Sequence, residues 1–112
     1  KVVISRNNKK DVRGGHEIFQ AEGLVVDFTG RTVTVDGKRV EMSPKEYELL
    51  FYLVRNRNIA LDREKLITEV WGYDYYGDDR TLDTHIKLLR SSLGGYRKFL
   101  VTLRGVGYRF EA

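Results

Sequence analysis

RTLDTHIKLLRSSLGGYRKFLVTLRGVGYRF, residues 80–110, is the stretch on which the fold turns. At about 100° per residue, Leu82, Ile86, Leu89 and Leu93 fall on one narrow stripe of a helix and must face a core. Arg80, Thr84, Lys87, Leu88 and Ser91 are thereby pushed outward. From Arg80 to Arg109 the bases are Arg80, Lys87, Arg90, Arg97, Lys98, Arg104 and Arg109, against the single acid Asp83. So uneven a sign over a short amphipathic helix suits a phosphate backbone as partner. Beyond the helix, Leu100 to Leu103 and Tyr108 to Glu111 are predicted as strands around Arg104-Gly105-Val106-Gly107, a glycine-bent hairpin that would stand beside the helix as a wing.

Upstream, Ser43-Pro44-Lys45-Glu46 predicts a helix start by three devices. Ser43 can cap, Pro44 suits the first helical position, and Glu46 completes a capping box. Tyr47, Leu50, Phe51 and Val54 then recur at helical spacing to about Arg57, with Asn58 expected to end the helix in the left-handed conformation. Asp62 is the expected cap of a second helix that buries Leu66, Ile67, Val70 and Trp71 and stops at Gly72. Residues 72–79, GYDYYGDD, read as a loop exposing tyrosines and acids, and the third helix starts after Asp78 or Asp79.

From about Phe19 to Met42 the pattern changes to short alternating runs. Leu24-Val25-Val26, Thr32 to Val35 and Val40 are separated by Thr29-Gly30 and Asp36-Gly37, as in a small antiparallel meander. Asp36-Gly37 is a strong hairpin signal, because a type I′ turn needs φ > 0 at both central positions. Residues 1–18, KVVISRNNKKDVRGGHEI, read as a solvated linker to something upstream.

Length and composition bound the remaining choices. A chain of 112 residues with 41% hydrophobic and 12% aromatic content suits one compact folded unit. The net charge of +4 is modest, but it is unevenly distributed. Residues 41–79 carry the acids Glu41, Glu46, Glu48, Asp62, Glu64, Glu69, Asp74, Asp78 and Asp79 against Lys45, Arg55, Arg57, Arg63 and Lys65. Without cysteine there are no disulfides or thiolate metal sites. No apolar run approaches the ~20 residues of a membrane span, so a soluble cytoplasmic protein without membrane contact is expected.

Catalytic and metal-binding readings find little support. His85 lies beside the apolar stripe and suits half-buried packing, while His16 in the linker offers no second ligand at useful spacing. Gly105-Val106-Gly107 joins strand to strand rather than opening a helix, so it reads as a tight turn and not as a nucleotide loop. Asp78 and Asp79, immediately before a helix, read as caps. Leu88 is apolar on an otherwise polar face. Single exposed leucines are ordinary, and contact with a thymine methyl is the less favoured reading. No catalytic residue, metal or cofactor is assigned.

Residues 43–110, above all SPKEYELL, LDREKLITEVWGYDYYGDDRTLDTHI and TLRGVGYRF, resemble the winged-helix effector domain of OmpR/PhoB-type two-component response regulators. The resemblance implies an α+β fold: a winged helix-turn-helix over residues 19–112, with an N-terminal four-stranded antiparallel sheet, three helices and a C-terminal β-hairpin wing. It also implies a transcription factor that binds promoter DNA, whose N-terminal receiver domain, attached through residues 1–18, is phosphorylated by a sensor histidine kinase. RTLDTHIKLLRSSL would be the recognition helix, with Arg80, Thr84, Lys87 and Arg90 at positions that face DNA and Leu88 among them. Thr81 and Trp71 match positions near phosphates, Thr102 a backbone-contacting position in the wing, and Arg104 the arginine that probes the minor groove. The loop residues Tyr73, Asp74, Tyr75, Tyr76 and Asp78 would meet RNA polymerase. Leu88 stands where the family often has Arg or Lys, and Ser91 and Ser92 replace further bases, so fewer phosphate contacts are expected. An isolated domain would be monomeric and pair head to tail on direct repeats. The alternative is a protein-interaction winged helix that contacts RNA polymerase or another acidic partner.

Overall fold

The computed structural model describes residues 17–75, 77 and 80–112, which divide between Glu41 and Met42 into two compact units. The expected linker therefore lies almost wholly outside the described residues. The first unit is a four-stranded antiparallel sheet in sequence order: β1 (Ile18–Ala21), β2 (Leu24–Asp27), β3 (Thr32–Val35) and β4 (Lys38–Val40). Ile18 already pairs with Asp27, so regular structure begins one residue earlier than the sequence pattern suggests. Leu24, Val26 and Val33 are fully buried, and Val26 faces Val33 across the β2–β3 ladder. Asp36 and Gly37 close the β3–β4 hairpin with φ of 51° and 83°, the paired left-handed conformation that their residue types favour. At the β2–β3 turn the left-handed residue is Arg31 rather than Gly30, whose N–H is instead held by Asp27 Oδ1 at 2.8 Å.

The second unit holds, among the described residues, three α-helices and a three-stranded sheet. α1 (Pro44–Arg55) starts as its sequence dictates. The Ser43 hydroxyl accepts from the Glu46 N–H at 3.4 Å, and Glu46 Oε1 accepts from the Ser43 N–H at 3.1 Å. Leu49, Leu50, Phe51, Leu53 and Val54 are buried, and the helix packs against both other helices. Asn58 has the expected φ of 67°, but it sits beyond the helix, which Asn56 caps. Its role is to dock the chain, because its N–H donates to the Phe110 carbonyl at 2.6 Å.

α2 (Arg63–Trp71) begins at Asp62, whose carboxylate accepts from the Lys65 N–H at 2.6 Å, and ends at Gly72 with φ 108°. α3 (Arg80–Leu93) buries Leu82, Ile86, Leu89 and Leu93, the predicted stripe. A short 3₁₀ segment (Gly94–Phe99) leads into β6 (Leu100–Leu103) and β7 (Gly107–Phe110). A strand absent from the sequence reading, β5 (Leu61–Asp62), pairs with β7 on the side away from β6. Gly107 is therefore a strand residue and not part of the turn. A Cβ there would fall well inside contact distance of the Leu61 carbonyl and at 2.9 Å from Asp62 Cα, so close passage of β5 requires glycine.

Candidate nucleic-acid interface

The burial of α3 determines which side chains can meet a partner. With the apolar stripe against the core, Arg80, Thr84, Lys87, Leu88 and Ser91 are exposed, as their spacing requires. Leu88 is 44% exposed, the one large apolar side chain open to solvent on a helix among the described residues. Lys87 has no hydrogen bond or ion pair with any described residue, so its ammonium is available to an external acceptor.

The wing is a tight hairpin. Val106 N–H donates to the Leu103 carbonyl at 2.9 Å, and Gly105 takes φ 74°, a conformation that favours glycine. Arg104 and Val106 are exposed at the tip, and Arg104 is likewise without a partner among the described residues. Thr102, on β6, is exposed as well.

Arg90 behaves differently from Lys87. Its Nε and Nη2 both donate to the Leu100 carbonyl, at 3.3 Å and 2.9 Å, and Nη2 also donates to Thr102 Oγ1 at 2.7 Å. Its guanidinium carbon lies 5.9 Å from the centre of the Tyr108 ring. One turn into α3, Asp83 is bonded by two donors from other elements: the Arg63 guanidinium, with which it forms an ion pair, and the Tyr108 hydroxyl at 2.6 Å. These bonds, Arg63 first and Tyr108 next, hold the Asp83 carboxyl below the usual carboxylate range. Burial and then the bond to Asp83 push the Tyr108 phenol up.

Arg63, Asp83 and Tyr108 carry no functional expectation from sequence. Arg63 did leave a signal: a cation in the first turn of a helix opposes the macrodipole, so its reason had to lie outside α2.

Trp71 and Thr81 are half-buried and already engaged. Trp71 meets the His85 ring edge-on at 5.0 Å, and His85 Nδ1 is 2.9 Å from the Thr81 carbonyl, the packing role expected of that histidine. The Thr81 hydroxyl is 2.9 Å from the Tyr75 hydroxyl. Lys45 donates to the Val70 carbonyl at 2.8 Å, satisfying an open acceptor at the end of α2 beneath Trp71. Of the five loop candidates, Tyr75 packs inward, while Tyr73 is 89% exposed and Asp74 is exposed. Tyr76 and Asp78 lie outside the described residues, as does the capping role expected of Asp78 and Asp79. No helix among the described residues is long and apolar enough to cross a membrane.

A helix joined through its side chains to a hairpin wing within a three-stranded sheet is the winged-helix arrangement. Residues 37–110 match the family described as transcriptional regulatory protein, C terminal. The chain belongs to this family. Transcriptional regulatory protein ResD of Bacillus subtilis is 48% identical over 92 residues, 79% of this chain and 38% of that protein. Among solved structures, the response regulator DrrB of Thermotoga maritima, an OmpR/PhoB homologue, aligns with a TM-score of 0.78 at 33% identity, covering 85% of this chain and 44% of DrrB. The DNA-binding domain of Klebsiella pneumoniae RstA, solved in complex with the RstA box, aligns with a TM-score of 0.75 at 28% identity, covering 86% of this chain and 98% of that domain. The fold is the OmpR/PhoB winged helix, with its four-stranded sheet, three helices and C-terminal hairpin. The chain spans about two fifths of the length of its curated relatives, 38% and 43% for two of them. The family is thus that of the DNA-binding effector domains of response regulators that control transcription.

Proposed function

We propose that this chain binds double-stranded promoter DNA sequence-specifically, with α3 in the major groove and the wing at the adjacent minor groove. The observation that carries this reading is the outer face of α3, which presents Thr84, Lys87 and Leu88 to solvent while Arg104 stands at the wing tip without a partner among the described residues. Thr84 and Lys87 reach base edges, with Leu88 on the same face. Arg80 and Arg90 lie toward the phosphates, with Thr81 and Trp71 at the entry of the helix, and Thr102 meets the backbone from the wing. RstA, of the same fold, is seen in complex with its own DNA box, which supports DNA as the partner.

Selection of bound sites from a random duplex library, followed by titration of the selected site against salt, tests the proposal. Log affinity should fall with log salt at about −0.9 per neutralised phosphate. Failure to enrich any sequence rejects specific readout.

The relatives' greater length supports a receiver domain upstream, with residues 1–18 as linker and a sensor histidine kinase as the source of its phosphoryl group. Tyr73, with Asp74, is the surface we assign to RNA polymerase, because so open an aromatic beside an acid contributes nothing to the packing of the loop.

A further inference from the structure

The geometry points to Asp83 as a positioning residue that, through Tyr108 and Arg63, locks the wing to the recognition helix so that both elements meet the duplex in one register. The inference rests on the DNA-binding reading above. An acid in the first turn complements the helix dipole, yet on an otherwise cationic outer face it also opposes the approach of phosphate, so what it bonds to within the fold bears on its role.

The bonds around it supply that role. Thr102 and Tyr108 are direct partners across the β6–β7 ladder, a single rung of the wing. α3 holds this rung at both ends: Asp83 accepts from the Tyr108 hydroxyl at 2.6 Å, and Arg90 donates to Thr102 Oγ1 at 2.7 Å. Asp83 and Arg90 are seven residues apart, about two helical turns. Two points so separated on one helix fix the angle of the rung as well as its distance, which one bond alone would leave free to pivot.

The third side is closed by Arg63. Tyr108 pairs with Leu61 across the β5–β7 ladder, and Arg63 follows Asp62 directly into α2, from which it reaches back to Asp83. The circuit runs from α3 to β7, across to β5, into α2 and back to α3. The covalent link between α3 and the wing, Gly94–Phe99, enters only at the C-terminal end of the helix, whereas Asp83 secures the N-terminal end. Arg90 completes the attachment with Nε and Nη2, which leaves Nη1 for an external acceptor.

Tyr108→Phe is the decisive variant, because it removes one hydroxyl and keeps the ring that packs in the core and beneath Arg90. Asp83→Asn is the second, weakening the bonds to both partners. Three readouts apply: amide hydrogen exchange, affinity for the selected site with A·T-rich and G·C-rich flanks at the wing, and the salt slope. Losing one such hydrogen bond should speed exchange of the wing amides Val101 to Arg109 by about fivefold while leaving the core of α1 unchanged. The preference for A·T-rich flanks should shrink by a similar factor, with the salt slope unaltered, since no phosphate contact is removed. In an Arg104→Ala background, Tyr108→Phe should change flank preference no further.

Equal acceleration of exchange throughout the domain, or an intact flank preference in both variants, would overturn the inference by leaving Asp83 a merely stabilising residue. A wild-type domain that enriches no DNA site would overturn the DNA-binding reading instead, and wing exchange would still judge the lock.

Discussion

Replacing Gly107 with alanine tests whether the wing is held by the strand that passes beside it. The added Cβ would sit 2.9 Å from Asp62 Cα and 3.0 Å from its carbonyl carbon, and closer still to the Leu61 carbonyl oxygen. All three neighbours are backbone, so no side-chain rotation relieves the clash, and β5 must move away from β7. Overpacking of this kind costs about 1–3 kcal/mol. Pulling Leu61 and Asp62 out of register with Tyr108 and Gly107 weakens ladder hydrogen bonds worth about 1 kcal/mol each. A loss of about 3 kcal/mol follows, and at roughly 4–8 °C per kcal/mol for a domain of this size the melting midpoint should fall by about 15 °C.

Gly105→Ala is the matched control. Nothing lies within 4 Å of its Cβ position, so only the left-handed φ of 74° is penalised, at about 1 kcal/mol. Calorimetry or urea unfolding of both variants decides the matter. If Gly107→Ala melts within two or three degrees of wild type (an approximate margin set by ~0.5 kcal/mol), or is less damaging than Gly105→Ala, the argument that β5 forces glycine at this position is wrong.

Lys87→Ala should weaken binding to the selected site by roughly 1–3 kcal/mol and relax preference at one base pair, measured by competition with single-base variants; equal loss on random DNA would make Lys87 a phosphate contact. Arg104→Ala should weaken binding most where the flank is A·T-rich, because the narrow minor groove there concentrates negative potential; gel shifts on A·T-rich and G·C-rich flanks that lose affinity alike would remove the wing from the minor groove. Stability should depend on pH at both extremes. The lowered Asp83 carboxyl contributes stability that is complete above about pH 4 and lost as pH falls through its native value, whereas the raised Tyr108 phenol contributes below about pH 10 and loses its share as pH rises through its native value. Urea midpoints for Asp83→Asn should show a flatter acid limb than wild type, and parallel acid limbs would contradict this. The isolated domain should sediment as a monomer and load two copies onto direct repeats about one helical turn apart, and a stable dimer without DNA or a preference for inverted repeats would contradict it.

What the sequence disclosed follows from the range of the interactions involved. The start of α1 depends on groups within three residues of one another, so Ser43, Pro44 and Glu46 announce it. The α3 stripe depends only on helical period, and Leu82, Ile86, Leu89 and Leu93 are buried where that period places them. β5 escaped notice because two residues carry no period, and its partner strand lies more than forty positions downstream. Gly107 differs from its sequence expectation for the same reason: its local context, between two strands, reads as a turn, and only the distant Leu61 carbonyl explains why no side chain fits.

The basic face was legible as a set of charges but not as a set of engagements. Thr84 and Lys87 stay open because no described residue bonds to them, whereas Arg90, at the C-terminal end of the same helix, faces the hairpin and bonds to Leu100 and Thr102. The two cations therefore start from different states. Lys87 is a flexible side chain that must surrender rotamer freedom, on the order of 2 kcal/mol, to hold a partner. Arg90 has already surrendered it, so any acceptor that reaches its Nη1 meets a donor fixed in place by the wing. An outward charge on a helical wheel thus marks a candidate contact, and the cost of making that contact depends on what the neighbouring hairpin has already ordered.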